Sequence, residues 1–475
     1  MKDKAIVIKK KCPYCFLSIS NEETGFLLKT DGARFISPAL NDVATPKKDT
    51  PYVLFWNAMG IPEEQLDAER MIMDNRILTE LNQELSAAGK TLAAKHYNPD
   101  NYGYTFSARE GAVNLYSNTM ICPYCHNALP HNFFKYDMLM IGMAGSVDSG
   151  KTVFISSLMM DGYQVLQRDN LMVRNAAGNT SDPYLLEMEK NADLLFRQGI
   201  CPGATSKAFR KPVFMEMIYR LEDKVCPLIV AVYDVAGELI RENSGTGRTG
   251  FARHMDGFIC MVDPAQMHLE HAVLSRTMPD EAQVLANLRI LSPEEQISYQ
   301  MMSNKNNKQI MDPNDFMKDS FHSEDYILER KAEMIMDSLR SGLGETLLHD
   351  KYMALTLGKS DKLEAVGEIN AYPGSQLLFE REQTGHGFFN MDHHFLRQSL
   401  LAQIFDQKVF RLQRNLDDYK ASSLFIVSAL GCETEVIREE AQEIVKTVGK
   451  VHPIRVEEPL LWLVMKYMQE RGWLD

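Results

Sequence analysis

Residues 138–158 read MLMIGMAGSVDSGKTVFISSL, and this stretch decides the fold. The apolar run 138–143 suits a strand buried on both faces. Gly145-Ser146-Val147-Asp148-Ser149-Gly150-Lys151-Thr152 then fits G-x-x-x-x-G-K-[ST] at every fixed position. Val153, Ile155 and Leu158 follow at helical spacing. Strand, glycine loop and helix together predict a phosphate-binding loop. Gly145 and Gly150 let the backbone turn tightly and aim its N–H groups at an anion. The helix N-terminus adds partial positive charge. Lys151 is placed to reach the β- and γ-phosphates, and the Thr152 hydroxyl to ligate Mg²⁺. Ser146, Asp148, Ser149 and Val153 are the further nucleotide contacts expected of such a loop. The alternative is a glycine-rich turn with no ligand, which the strand before and the helix after argue against.

The 475 residues carry 51 Lys and Arg against 64 Asp and Glu, a net charge of −13. That balance argues against a general nucleic-acid or anionic-membrane surface. Hydrophobic residues make up 45% and charged residues 24%, as in soluble globular chains long enough for about two or three domains. No apolar run reaches the ~18 residues a spanning helix needs. The N-terminal MKDKAIVIKKKCPYC lacks the apolar core and cleavage site of a secretory signal. The expected location is cytoplasmic, with no membrane span and no nucleic-acid partner.

Four of the eight cysteines form two C-P-Y-C knuckles, Cys12 with Cys15 and Cys122 with Cys125. Two thiolates two residues apart fit one tetrahedral ion, and a second pair completes a Cys₄ zinc site. A zinc ribbon is the expected reading, although about a hundred residues separate knuckles that a plain ribbon places about 15–20 apart. Residues 1–135 are therefore read as a ribbon interrupted by an inserted mixed α/β segment, 16–121. Redox dithiols or disulfides are the alternatives. Neither copy heads a βαβ pattern, and an intracellular chain disfavours disulfides. His126 and His131 are expected to be solvated or capping. Cys201, Cys226, Cys260 and Cys432 read as small buried hydrophobes.

Taken in order, residues 5–8 (AIVI) read as a strand and 62–88 as a helix stopped by Gly89. Residues 93–121 are polar and aromatic, either a partner surface or the small core of the insertion. Beyond the glycine loop, 185–195 looks helical and 213–219 and 226–234 read as strands. Asp234 closes the second of these, followed by Val235-Ala236-Gly237-Glu238. A carboxylate at a buried strand's C-terminal end suits Mg²⁺ held through water, and Gly237 can bring its N–H to a γ-phosphate. Residues 258–263 form another apolar strand. Residues 265–350 form a charged, largely helical insertion. Residues 352–357 and 423–427 are further strands, ending in Gly358-Lys359-Ser360-Asp361 and Ser428-Ala429-Leu430-Gly431. Residues 395–410 and 459–469 read as helices.

GSVDSGKT, DVAGE, GKSD and SALG fall in the order and strand-end positions of a guanine-nucleotide signature. The chain resembles the P-loop GTPases of the translation-factor-related class, over residues 136–475. The ribbon-plus-GTPase layout and the closing RVEEPLLWLV resemble the double-GTPase proteins of bacterial GTPase-associated conflict systems. The resemblance implies a Ras-like, mostly parallel sheet flanked by helices. It also implies GTP or GDP as ligand, Mg²⁺ held by Thr152 and Asp234, and γ-phosphate sensing by Gly237. Asp361 would accept hydrogen bonds from guanine N1 and N2, the Lys359 stem would lie along the base, and Ala429, between Ser428 and Leu430, would offer its N–H to O6. Three departures stand out. Gly358 replaces the usual Asn or Thr, so a tether to the phosphate loop is lost. Glu238 replaces the water-orienting Gln, and a carboxylate there is repelled by the γ-phosphate. The switch I threonine is ambiguous: Thr205, in the loop before the 213–219 strand, is the choice for this catalytic position, and an ordinary loop threonine is the alternative. Arg241 or Arg248 would be an internal arginine finger. Switch segments are expected at 199–212 and 238–250. The expected function is a GTP-hydrolysing molecular switch with unidentified protein partners, a nucleotide-dependent dimer being one option. The alternatives are a P-loop ATPase and a nucleotide-gated scaffold with little turnover.

Overall fold

The computed structural model describes residues 5–474 apart from 33, 91–92, 146–148, 181–182, 203–210, 223, 235–248, 264–347, 365–368, 370–372, 381–388, 415 and 440–441. A seven-stranded sheet lies at its centre. The strands are β1 (Asp137–Gly145), β2 (Leu171–Asn175), β3 (Val213–Arg220), β4 (Val225–Asp234), β5 (Gly257–Val262), β6 (Tyr352–Leu357) and β7 (Ala421–Ile426). Their spatial order is β2-β3-β4-β1-β5-β6-β7. The five strands from β4 to β7 in that order pair in parallel. β3 runs antiparallel to β4, and β2 antiparallel to β3. The fold is α/β with a mostly parallel sheet.

The strand sequences explain this arrangement. β5 (GFICMV) and β6 (YMALTL) are buried at every position, as parallel strands covered on both faces must be. The period of two divides each strand between two cores. On β4, Leu228, Val230 and Val232 join a cluster with Phe154, Ile155 and Leu158. Ile229, Ala231 and Tyr233 join a second cluster with Tyr14, Trp56 and Phe133. The cysteine-bearing N-terminal region thus packs directly on one sheet face, and α1 (Lys151–Leu158) covers the other. Helices α2 (Pro183–Gln198), α3 (Ser360–Glu364), α4 (Met391–Arg414) and α5 (Glu458–Glu470) complete the layers. α5 buries the run Leu460, Leu461, Trp462, Leu463 and Val464 against the same cluster as α1. Each such side chain contributes about 1.5–3 kcal/mol of transfer free energy.

Several local expectations need correction. Residues 5–8 are not a strand. The strand is Lys9–Lys11, paired with Ser18–Ser20, while Ile6 and Val7 stay exposed. The knuckle sets this register, because Cys12 N–H donates to Leu17 O at 2.9 Å. The expected helix 62–88 is confined to Asn75–Ala87. Ile72–Met73 instead pairs with Phe26–Leu27 and buries Met73 completely, so apolar spacing there served a sheet. Asp74 starts the helix by accepting the Ile77 N–H at 2.6 Å. Asp74→Ala is expected to lower unfolding free energy by about 1 kcal/mol, read by denaturant titration. Residues 93–121 build an antiparallel meander, Ala94–Asn98, Gly103–Glu110 and Val113–Ser117, that buries Phe106 and Leu115. Edge strand β2 and the hairpin Thr434–Glu439/Gln442–Thr447 were not expected. Cys226 and Cys260 are buried as read, but Cys201 and Cys432 are only partly so. Among the described residues, no helix is long and apolar enough to cross a membrane. Nearly all of the expected insertion 265–350 lies outside the described residues.

Candidate functional site

The C-terminal ends of the parallel strands gather the residues singled out above. β1 ends at Gly145 with φ +155°, where a Cβ would stand 2.6 Å from both Met261 O and Ser149 Oγ. Gly150 is left-handed at φ +88° and caps α1. Both positions require glycine. Lys151 folds back over the loop and donates from Nζ to Gly145 O at 3.0 Å and to Ser149 Oγ at 3.4 Å. Thr152, one residue into α1, directs its hydroxyl at Asp234 Oδ2, 3.5 Å away at the end of neighbouring β4. Asp234 is 2% exposed. A hydroxyl and a carboxylate oxygen side by side are hard donors of the type Mg²⁺ takes, so these two residues fit that ion. Val153 is half-buried beside them. Ser146, Asp148, Thr205, Gly237, Glu238, Arg241 and Arg248 lie outside the described residues.

On the other side of the loop, Gly358 N–H donates to Val262 O at 2.8 Å, which locks the turn after β6 to β5. Lys359 adopts φ +53°, and its Nζ donates to Asp263 Oδ2 at 2.5 Å. Its Cε lies 3.9 Å from where a Gly150 Cβ would be. The turn after β6 therefore lies beside the glycine loop, although Gly358 has no side chain to join them. Asp361 lies in the first turn of α3 and accepts a hydrogen bond from the Ser428 hydroxyl. Burial raises the Asp361 carboxyl above its ordinary value, against the lowering effect of that hydroxyl. Ser428 Oγ in turn accepts Gly431 N–H at 2.9 Å. Ala429 O accepts the Ser157 hydroxyl of α1 at 2.7 Å, and Leu430 O accepts His452 N–H at 2.8 Å.

The second cluster is the cysteine centre. The four thiol sulfurs of Cys12, Cys15, Cys122 and Cys125 lie within 4.8 Å of one another. Cys12 and Cys125 are 3.8 Å apart, and Cys15 and Cys122 3.7 Å. A tetrahedral ion with metal–sulfur bonds of about 2.3 Å holds its sulfurs about 3.8 Å apart, whereas a disulfide needs about 2.05 Å. The knuckles are near-copies. Phe16 N–H donates to Cys12 O and His126 N–H to Cys122 O, each at 3.0 Å, and both donors are left-handed, at φ +58° and +52°. Tyr14 N–H points at Cys12 Sγ (3.4 Å) and Tyr124 N–H at Cys122 Sγ (3.5 Å). Burial pushes the Cys12 and Cys125 thiols up, a cost that a cation binding thiolates offsets. The set fits a zinc-type ion.

No family model matches the chain, and no curated protein matches it significantly.

Three partners in this geometry went unnoticed in the sequence. Asp263, which holds Lys359, ends the apolar run FICMVD as Asp234 ends PLIVAVYD, so a strand-end carboxylate was its signal. Ser157 reads only as a helix residue. Arg455, fully buried, donates to Ile426 O at 3.0 Å, and its neighbour Ile454 exchanges backbone hydrogen bonds with Ser428 at 3.0 and 2.7 Å. His126 is neither solvated nor capping. It is 5% exposed, and its Nδ1 lies 2.7 Å from Asp49 Oδ1, with Arg70 on the other carboxylate oxygen at 3.1 Å. The left-handed turn closing the second knuckle brings it into the core. His131 is exposed, as expected.

Proposed function

We propose that the chain is a P-loop GTPase that binds GTP with Mg²⁺ and acts as a nucleotide-dependent switch. The observation that carries this reading is the grouping at the parallel strand ends of Lys151, Thr152 and Asp234 around one glycine turn, with Lys359 beside that turn and the bonded pair Asp361 and Ser428 next to it along the chain. The α1 N-terminus and the loop N–H groups would receive phosphate oxygens. Lys151 would exchange its bond to Gly145 O for the β- and γ-phosphates. Thr152 and Asp234 would hold Mg²⁺, which neutralises charge on the transferring phosphoryl group. Asp361, fixed by Ser428, would accept guanine N1–H and N2–H, and the Ala429 N–H would meet O6. The order β3-β4-β1-β5-β6-β7, with only β3 reversed, supports the Ras-like reading. Glu238 in place of a water-orienting Gln favours slow or partner-assisted hydrolysis. It also favours the second reading, a scaffold with little turnover, which single-turnover phosphate release separates.

The test is calorimetry with GTP, GDP, ATP and ADP on wild type and Asp361→Asn. Two hydrogen bonds to a charged acceptor are worth about 1.5–3 kcal/mol each, so the variant should lose at least about tenfold in guanine affinity while ATP binding stays unchanged. Preference of the wild type for ATP sinks the base reading. Because burial raises the Asp361 carboxyl, acidification should erode guanine preference at a higher pH than for an exposed aspartate. The sign for stability is opposite. A raised carboxyl favours the folded state when protonated, and that contribution is lost as pH rises through its folded value.

A further inference from the structure

A continuous chain of contacts joins the cysteine centre to the proposed magnesium carboxylate. Pro13, inside the first knuckle, offers its carbonyl to the Tyr233 hydroxyl, which donates at 2.6 Å. Tyr233 is completely buried. Its ring lies 6.3 Å from that of Phe16, the residue that closes the knuckle. The next residue of β4 is Asp234, 3.5 Å from the Thr152 hydroxyl. Phe16 also stacks on His254, 4.4 Å between ring centroids and 17° between planes, and Tyr14 meets Phe214 of β3 edge-on at 5.8 Å. The knuckle therefore grips β3, β4 and the turn Thr249–His254 at once. A strand end held by a buried hydrogen bond has little freedom of its own. We infer that the Cys₄ centre and the nucleotide site are energetically coupled through Pro13, Tyr233 and Asp234, with Tyr233 acting as a positioning residue. Its hydroxyl, anchored on the metal knuckle, sets where the Asp234 carboxylate stands.

The inference rests on the nucleotide reading above, and coupling of this kind is reciprocal. If the knuckle's state changes affinity for nucleotide and Mg²⁺, nucleotide and Mg²⁺ change metal retention by the same factor. The experiment uses the full chain loaded with zinc, with zinc occupancy and melting temperature checked for wild type and Tyr233→Phe. Zinc loss is measured as the equilibrium partition of zinc between the chain and a colorimetric chelator, with and without GTP and Mg²⁺. In wild type, nucleotide with Mg²⁺ should raise zinc affinity about fivefold or more. In Tyr233→Phe, which keeps the ring but not the hydroxyl, the gain should vanish. The variant's Mg²⁺ requirement for GTP binding should rise about fivefold while binding without added Mg²⁺ is unchanged, a split that a merely structural role does not produce. Zinc loss indifferent to nucleotide in a wild type that binds GTP overturns the coupling alone. Failure of the wild type to bind any nucleotide overturns the nucleotide reading, and the coupling with it.

Discussion

Lys151→Ala is expected to lower affinity for GTP and Mg²⁺ on the order of 100-fold, from the loss of two charge-assisted hydrogen bonds of about 1.5 kcal/mol each. The same variant should melt within a few degrees of wild type. In the structure Lys151 is half-buried and bonded to Gly145 O and Ser149 Oγ, bonds whose net stability contribution is about 0.5–1.5 kcal/mol apiece. Calorimetry and thermal melting on one preparation therefore separate a binding role from a structural one. Unchanged GTP affinity would remove the glycine turn from the site. A collapse of the fold would mean that the lysine's internal bonds are its main role.

Removing the metal should have the larger effect on the protein itself. Structural zinc in small domains supplies apparent binding free energies of about 10–16 kcal/mol. Here the four cysteines sit in the same apolar cluster as Trp56, Phe133 and Tyr233, so the centre supports a sheet face as well as its own knuckles. Stripping zinc with a chelator, or replacing Cys122 by Ser, should lower the melting temperature by at least about 10 °C, the equivalent of several kcal/mol for a domain of this size. Elemental analysis should find about one zinc per chain before treatment. Acid should promote the loss, because the ligating form of each cysteine is the thiolate. A chain purified without metal that melts where wild type does would remove the metal reading.

Some of this was legible because the signal was local. The glycine loop declares itself through residue identity at fixed spacing, since a turn this tight admits few residues at 145 and 150. The buried parallel strands were visible as apolar runs, and β6 (Tyr352–Leu357) has the bounds its sequence suggested. The two C-P-Y-C motifs named four candidate ligands, and their thiols do come together across about a hundred residues. Where periodicity was shared between possibilities, it misled. Apolar residues at 66, 71, 73 and 77 suit a helix, yet Met73 pairs in a sheet and only Asp74 starts the helix. Short strands such as Lys9–Lys11 take their register from a knuckle turn and not from their own pattern.

The sequence by itself named the candidate residues, because loop and knuckle geometry are specified over a few consecutive positions. Only the tertiary structure decided whom those residues meet. Asp263 beside Lys359, Ser157 beneath Ala429, Asp49 beside His126 and Tyr233 beneath Pro13 are contacts between segments from 77 to 272 positions apart. Such pairings depend on strand order and on which sheet face each alternate side chain takes. Those follow from packing the whole chain, not from any window along it.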